Sequence, residues 1–193
     1  MRRHLFLACL LPFIAGIGAP PAAAQTLKPK PPRGKSIAQT LALMGIASTF
    51  YQGLKAARLD SVLNGPAKIP YTVFVPSNAA FQHLKEAGLG LASSTGQGLD
   101  QHRTELLLRF HIVPGRYPTE ALKAGQALHS LNAAFPVKVS TQGTRVFVSG
   151  TNTAPVELVN AYILCDNGII HLIDDVLVPF TRIKAQGLPP DSH

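Results

Sequence analysis

The chain has 193 residues, 18 Lys and Arg against 10 Asp and Glu, a formal net charge of +8 and only two cysteines. One cysteine, Cys9, falls in the leader described next, so an internal disulfide is excluded and stability must come from a packed core. The basic residues are scattered after position 35, with no Lys/Arg run interleaved with aromatics, which argues against nucleic acid as a partner. The charge suits an anionic surface instead, such as acidic polysaccharide, lipid headgroups or acidic protein patches.

Met1-Arg2-Arg3-His4, the apolar run Leu5 to Ile17 and the small-residue site Ala22-Ala23-Ala24 read as a secretory signal peptide spanning 1–24. The apolar run is too short for an ordinary spanning helix, so no transmembrane anchor is expected after cleavage. Cleavage takes away Arg2 and Arg3 and no acids, so +8 becomes +6. The mature protein is expected to be secreted or periplasmic. Residues 25–35, with Pro29, Pro31, Pro32 and the basic cluster Lys28, Lys30, Arg33 and Lys35, form an extended, solvated linker.

The folded domain is expected over 36–180, and 181–193 reads as a polar tail. Ser36 is placed to cap a helix in which Ile37, Leu41 and Met44 recur at helical spacing. A second helix carries Phe50, Leu54, Ala57 and Arg58 in phase, and Leu59 to Leu63 forms a further short turn, ended by Asn64-Gly65-Pro66. Tyr71 to Val75 is rich in β-formers and is closed by Pro76. Ser77 or Asn78 then caps a helix carrying Phe81 and Leu84. Gly88 to Gly98 reads as a loop. Asp100 to Phe110 reads as a helix with Leu106, Leu107 and Phe110 inward and Arg103, Glu105 and Arg109 outward. His111-Ile112-Val113 is a short strand before the turn Pro114-Gly115-Arg116, and Thr119 caps a brief helix through Leu122 to Ala124.

The remainder reads as strands: Leu128 to Leu131, then Val137 and Val139 alternating with polar residues, a turn at Gln142-Gly143, and Val146 and Val148 alternating again. Val156 to Leu164 and Ile169 to Val178 complete the set. Asn167-Gly168 is the hairpin signal between these last two. Ile169 onward is apolar at almost every step, as expected of a strand inside a sheet, with Pro179 as its stop. Helices, one strand, helices, then a run of strands make an α+β domain.

Three segments resemble the fasciclin domain family. Thr72-Val73-Phe74-Val75-Pro76-Ser77-Asn78-Ala79-Ala80-Phe81 resembles its first signature, and Asn167-Gly168 through His171, Asp174 and Pro179 its second. Phe110-His111-Ile112-Val113 with Gly115-Arg116-Tyr117 resembles the Tyr-His segment between them. The resemblance implies a compact fasciclin-like fold, a β-core formed as a wedge of two sheets and flanked by several helices. It also implies an adhesion or interaction module with no common enzymatic activity and no cofactor, whose partner is a cell-surface, matrix or envelope protein. The family's Tyr, implicated in integrin binding in animal members, is Phe110 here, so its hydroxyl is absent.

Read physically, His111 and His171 are expected to be buried imidazoles satisfying backbone groups. Asp174 and Asp175, adjacent in an extended strand, point to opposite faces, one as a structural partner and the other exposed. Ser77, His111 and Asp174 can be written as a triad, but no nucleophile elbow supports it. His83, His102, His111, His129 and His171 lack metal-ligand spacing, and no catalytic or metal site is expected. Cys165, in an apolar run, reads as a buried inert thiol. Arg116 and Tyr117 are the better surface candidates, with Phe110, His111 and Asp174 as further interaction candidates. A second reading is a small-ligand or glycan-binding envelope protein, which a sizeable pocket would favour.

Overall fold

Ser36 does open the first helix. Its hydroxyl accepts from Gln39 N and the Gln39 side chain accepts from Ser36 N, a complete capping box ahead of α1 (Ile37–Leu43). A 3₁₀ turn, Gly45–Ala47, leads into α2 (Ser48–Ala56), and α3 (Asp60–Asn64) follows. Then come β1 (Tyr71–Pro76), α4 (Asn78–Glu86), α5 (Gln101–Phe110) and β2 (Ile112–Pro114). The strands β3 (Ala127–His129), β4 (Pro136–Gln142), β5 (Arg145–Ser149), β6 (Val156–Glu157), β7 (Ile163–Cys165) and β8 (Gly168–Ile173) complete the chain. The structure, a computed structural model, describes residues 34–65, 69–91, 99–132, 134–150, 154–159 and 162–179. The leader, most of the linker, most of the loop before Leu99 and the C-terminal tail lie outside the described residues.

The strands form two four-stranded sheets, β2-β1-β8-β7 and β3-β4-β5-β6, so the domain is α+β. In the first sheet β8 runs parallel to β1 over the whole of both strands, Tyr71 opposite Gly168 through Pro76 opposite Ile173. The last strand therefore lies inside the sheet, as its apolar run demands. The pleat divides the side chains of β1 between two cores. Val73 and Val75 join Ile37, Leu41, Phe50, Leu54 and Leu107 on the helical side. Phe74, with Val113 and Ile173, meets Val137, Val139 and Val148 of the second sheet. The sheets are joined where Leu131 N donates to Ile112 O at 2.7 Å and where Leu158 bridges to Ile173.

Several boundaries differ from expectation. Val156 to Leu164 is not one strand: β6 lies in the second sheet and β7 in the first, with Leu158 crossing between them. The segment thus spans the wedge rather than one of its walls. Strand β8 ends at Ile173, short of Val178, so Asp174 and Asp175 lie in a bend and are both exposed. The expectation that they take opposite faces of a strand fails with it. In α5 it is Leu108 that is buried beside Thr104, Leu107 and Phe110, while Leu106 is only half-buried. Thr119 makes no side-chain cap, and its 3₁₀ turn stops at Ala121. Strand β3 begins and ends earlier than Leu128 to Leu131. Ser77, rather than Asn78, caps α4, accepting from Ala80 N.

Candidate functional site

The hairpin closes on Asp166-Asn167, not on Asn167-Gly168, since Cys165 pairs with Gly168. Neither turn residue has positive φ; the Asn-Gly pair is there for other reasons. Asn167 is buried, its Oδ1 accepting from Ile37 N at 2.8 Å while its Nδ2 donates to Leu63 O at 2.7 Å and Gly65 O at 3.2 Å. One amide thus ties the turn to the start of α1 and the end of α3. Gly168 faces β1 so closely that a Cβ there would lie 1.9 Å from Tyr71 O. No other residue fits that approach.

Asn78 plays a similar role at a distance. Its Oδ1 accepts from Thr49 N at 3.0 Å, capping α2 from another element, and its Nδ2 donates to Gly45 O. Thr72, fully buried, donates its hydroxyl to Gly115 O at 2.8 Å and accepts from Tyr117 N at 2.9 Å. Pro76, Phe81 and Pro179 of the two signatures are buried.

The two buried histidines are in opposite tautomers. His111 caps α5. Its Nδ1 donates to Leu107 O at 2.8 Å, and its Nε2 accepts from Leu177 N at 3.1 Å, so the proton sits on Nδ1. Burial lowers its pKa from 6.5 to about 4, against the hydrogen bond to Leu107. His171 donates from Nε2 to Tyr117 O at 2.8 Å, and its buried Nδ1 has no partner among the described residues. The ring stacks on Phe74 and meets the edge of Tyr162. Burial lowers its pKa as well. Phe110 is fully buried in the core between the sheets. Phe110 and His111, offered above as interaction candidates, are therefore placed where no partner reaches them. The helix end that carries them packs inward, because an aromatic ring gains more from burial than from exposure.

Arg116, Tyr117 and Asp174 do reach the surface. Arg116 lies exposed and donates from Nη2 to Asp166 O at 3.2 Å and Cys165 O at 3.4 Å. With Asp166, Asn64 and Ser36 it rims a cleft of about 480 Å³. The half-buried ring of Tyr117 lies over Gly115, where a Cβ would meet it at 2.6 Å; hence the glycine, at φ 114°. Asp174 accepts from Glu157 N and clips β6 to the bend after β8. A larger open groove, about 1280 Å³, runs between α2 and α5. Its described lining is spread over 48–58, Leu91 and 99–105, so no contiguous motif announced it.

Ser77, His111 and Asp174 are each committed to a different backbone group, Ala80 N, Leu177 N and Glu157 N. None is hydrogen-bonded to another, so the triad that could be written from sequence is not assembled. Among the described residues no three His, Cys, Asp or Glu side chains converge as metal ligands. Cys165 is buried, its thiol pKa raised by desolvation and its Sγ 3.4 Å from Thr40 Oγ1.

Compared with known proteins, residues 45–179 match the model of the Fasciclin domain. The chain belongs to the fasciclin domain family. Among relatives of this fasciclin chain, human Stabilin-1 is 32% identical over 149 residues, covering 76% of this chain and 5% of Stabilin-1. Protein sll1483 of Synechocystis is 31% identical over 132 residues, covering 68% of this chain and 67% of that protein. Human Periostin is 27% identical over 154 residues, covering 77% and 16%. This chain thus spans only a small part of Stabilin-1 and Periostin. The FAS1 domain pair of the insect cell adhesion molecule Fasciclin I shares the fold, with a TM-score of 0.62 at 18% identity over 74% of this chain and 50% of that one. No helix among the described residues is long and apolar enough to cross a membrane.

Proposed function

We propose that this fasciclin domain is an exported, non-enzymatic adhesion module that attaches to a protein of a cell surface, matrix or envelope through the turn carrying Arg116 and Tyr117. The observation that carries this reading is how firmly that turn is held. Tyr117 N and O are bonded to the buried Thr72 and His171, and the guanidinium of Arg116 is bonded to two carbonyls of the facing hairpin. Two side-chain types favoured at binding hot spots are thereby presented with little ordering left to do on association. Membership of a family that includes a cell adhesion molecule, Fasciclin I, supports the same reading.

The test is capture of envelope or matrix protein by the full chain, wild type against Arg116→Ala and Tyr117→Ala. Each substitution is expected to weaken capture by more than about tenfold, as loss of a hot-spot residue does. Equal capture by all three proteins would reject the turn as the binding surface. A second reading, glycan binding, is favoured by the groove between α2 and α5, which offers the sizeable site that such a function needs.

A further inference from the structure

Helices α2 and α4 end in the same way. After α2, Leu59 N donates to Leu54 O and Arg58 N to Lys55 O; after α4, Leu89 N donates to Leu84 O and Gly88 N to Lys85 O. This paired pattern turns the chain through one left-handed residue, where glycine is favoured because a Cβ is strained. Helix α4 obeys, with Gly88 at φ 77°. Helix α2 places Arg58 there, at φ 57°, the one non-glycine residue of positive φ among the described residues. Stability does not account for an arginine at this position.

Its surroundings do. Arg58 lines the open groove, which is walled on one side by Ser48, Thr49 and Gln52 of α2 and on the other by Gln101 and neighbouring residues of α5. The acids of the groove are already engaged. Asp100 caps α5 and pairs with Arg103, and Glu105 pairs with Arg109. Arg58 has no ion pair among the described residues, so the groove holds one uncompensated guanidinium among hydroxyls and amides. At about 1280 Å³ it exceeds the roughly 300–1,000 Å³ of a small-molecule pocket and suits a segment of chain.

We propose that this groove binds an acidic polysaccharide, with Arg58 receiving a sugar carboxylate and Gln52 and Gln101 hydrogen-bonding its hydroxyls; the Ser48 hydroxyl is already bonded to the Asn78 amide. A fork of guanidinium donors matches a carboxylate, and neutral amides and hydroxyls match a polyol. The inference rests on the glycan reading and is independent of the Arg116–Tyr117 turn.

The experiment is calorimetric titration of the full chain with short oligogalacturonides, with neutral cello-oligosaccharides as control, and thermal melting of each variant. Wild type is expected to bind the acidic sugar and not the neutral one. Arg58→Gly is expected to lower affinity by about tenfold or more, the size of one charge-assisted contact, while Tm stays level or rises because the strained residue is relieved. Gln52→Ala is expected to weaken binding less. Arg116→Ala is expected to leave sugar binding unchanged, so that loss of protein capture and loss of sugar binding are told apart. Equal binding of neutral and acidic sugars, unchanged affinity in Arg58→Gly, or no binding at low salt would each overturn the proposal.

Discussion

His111 is held neutral by what surrounds it. One ring nitrogen must donate to Leu107 O and the other must accept from Leu177 N, and a proton on the second would abolish its acceptor. Its folded pKa of about 4 lies below the ordinary 6.5, so on acidification the unfolded chain takes up the proton first. The stability at stake is fully present above pH 6.5 and drains away as the pH falls toward about 4. From this residue alone, denaturant unfolding near pH 5 is expected to give a free energy about 2 kcal/mol below that at neutral pH, and His171, shifted in the same direction, adds to the loss. Equal stabilities at the two pH values would mean that neither imidazole is held as described. That these histidines are structural was legible in the sequence, because both sit among apolar neighbours. Their partners were not, since Leu177 is 66 positions from His111 and Tyr117 is 54 from His171.

At the scale of elements, the hairpin before β8 shows how one motif serves several helices. Asn167→Ala would strip Ile37 N and Leu63 O of their partner. Two buried polar groups left unsatisfied are expected to cost roughly 2–5 kcal/mol, with hydrogen exchange quickening at the start of α1. Asn167→Asp keeps the acceptor for Ile37 N but sets a carboxylate oxygen against Leu63 O and Gly65 O. It is therefore expected to cost at least as much, while sparing the exchange rate of Ile37 N more than Asn167→Ala does. Exchange at Ile37 unchanged in both variants would rule out the tie. The Asn-Gly pair was visible as a signal, yet its usual meaning misled. Hairpin propensity describes local φ and ψ, whereas here the asparagine bonds across 130 positions to Ile37 and the glycine clears Tyr71 O.

Across the whole molecule, the first sheet separates two cores and is shared by both. The helical side takes Val73, Val75 and Ile170, and the side toward the second sheet takes Phe74, Val113 and Ile173. Neither core can be lost without exposing one face of β1 and β8, so the domain is expected to unfold in one transition. Leu107→Ala in the helical core and Val148→Ala between the sheets, both fully buried, are each expected to cost about 2–4 kcal/mol. Far-UV and aromatic signals should move together in each variant. Separate midpoints for the two signals in Val148→Ala would show that the second sheet melts independently.

Local chemistry was enough to determine the helices, most strands, the α+β class and the burial of His111 and His171, because capping residues, β-branched runs and turn residues act over a few positions; the family was read from the resemblance of three motifs. The sequence by itself could not show that Val156 to Leu164 passes from one sheet to the other, that Leu108 rather than Leu106 is buried, or that Arg58 and Gln101 share a groove. Those outcomes depend on which faces meet when the helices and the two sheets close on common cores, and only the tertiary structure decides that.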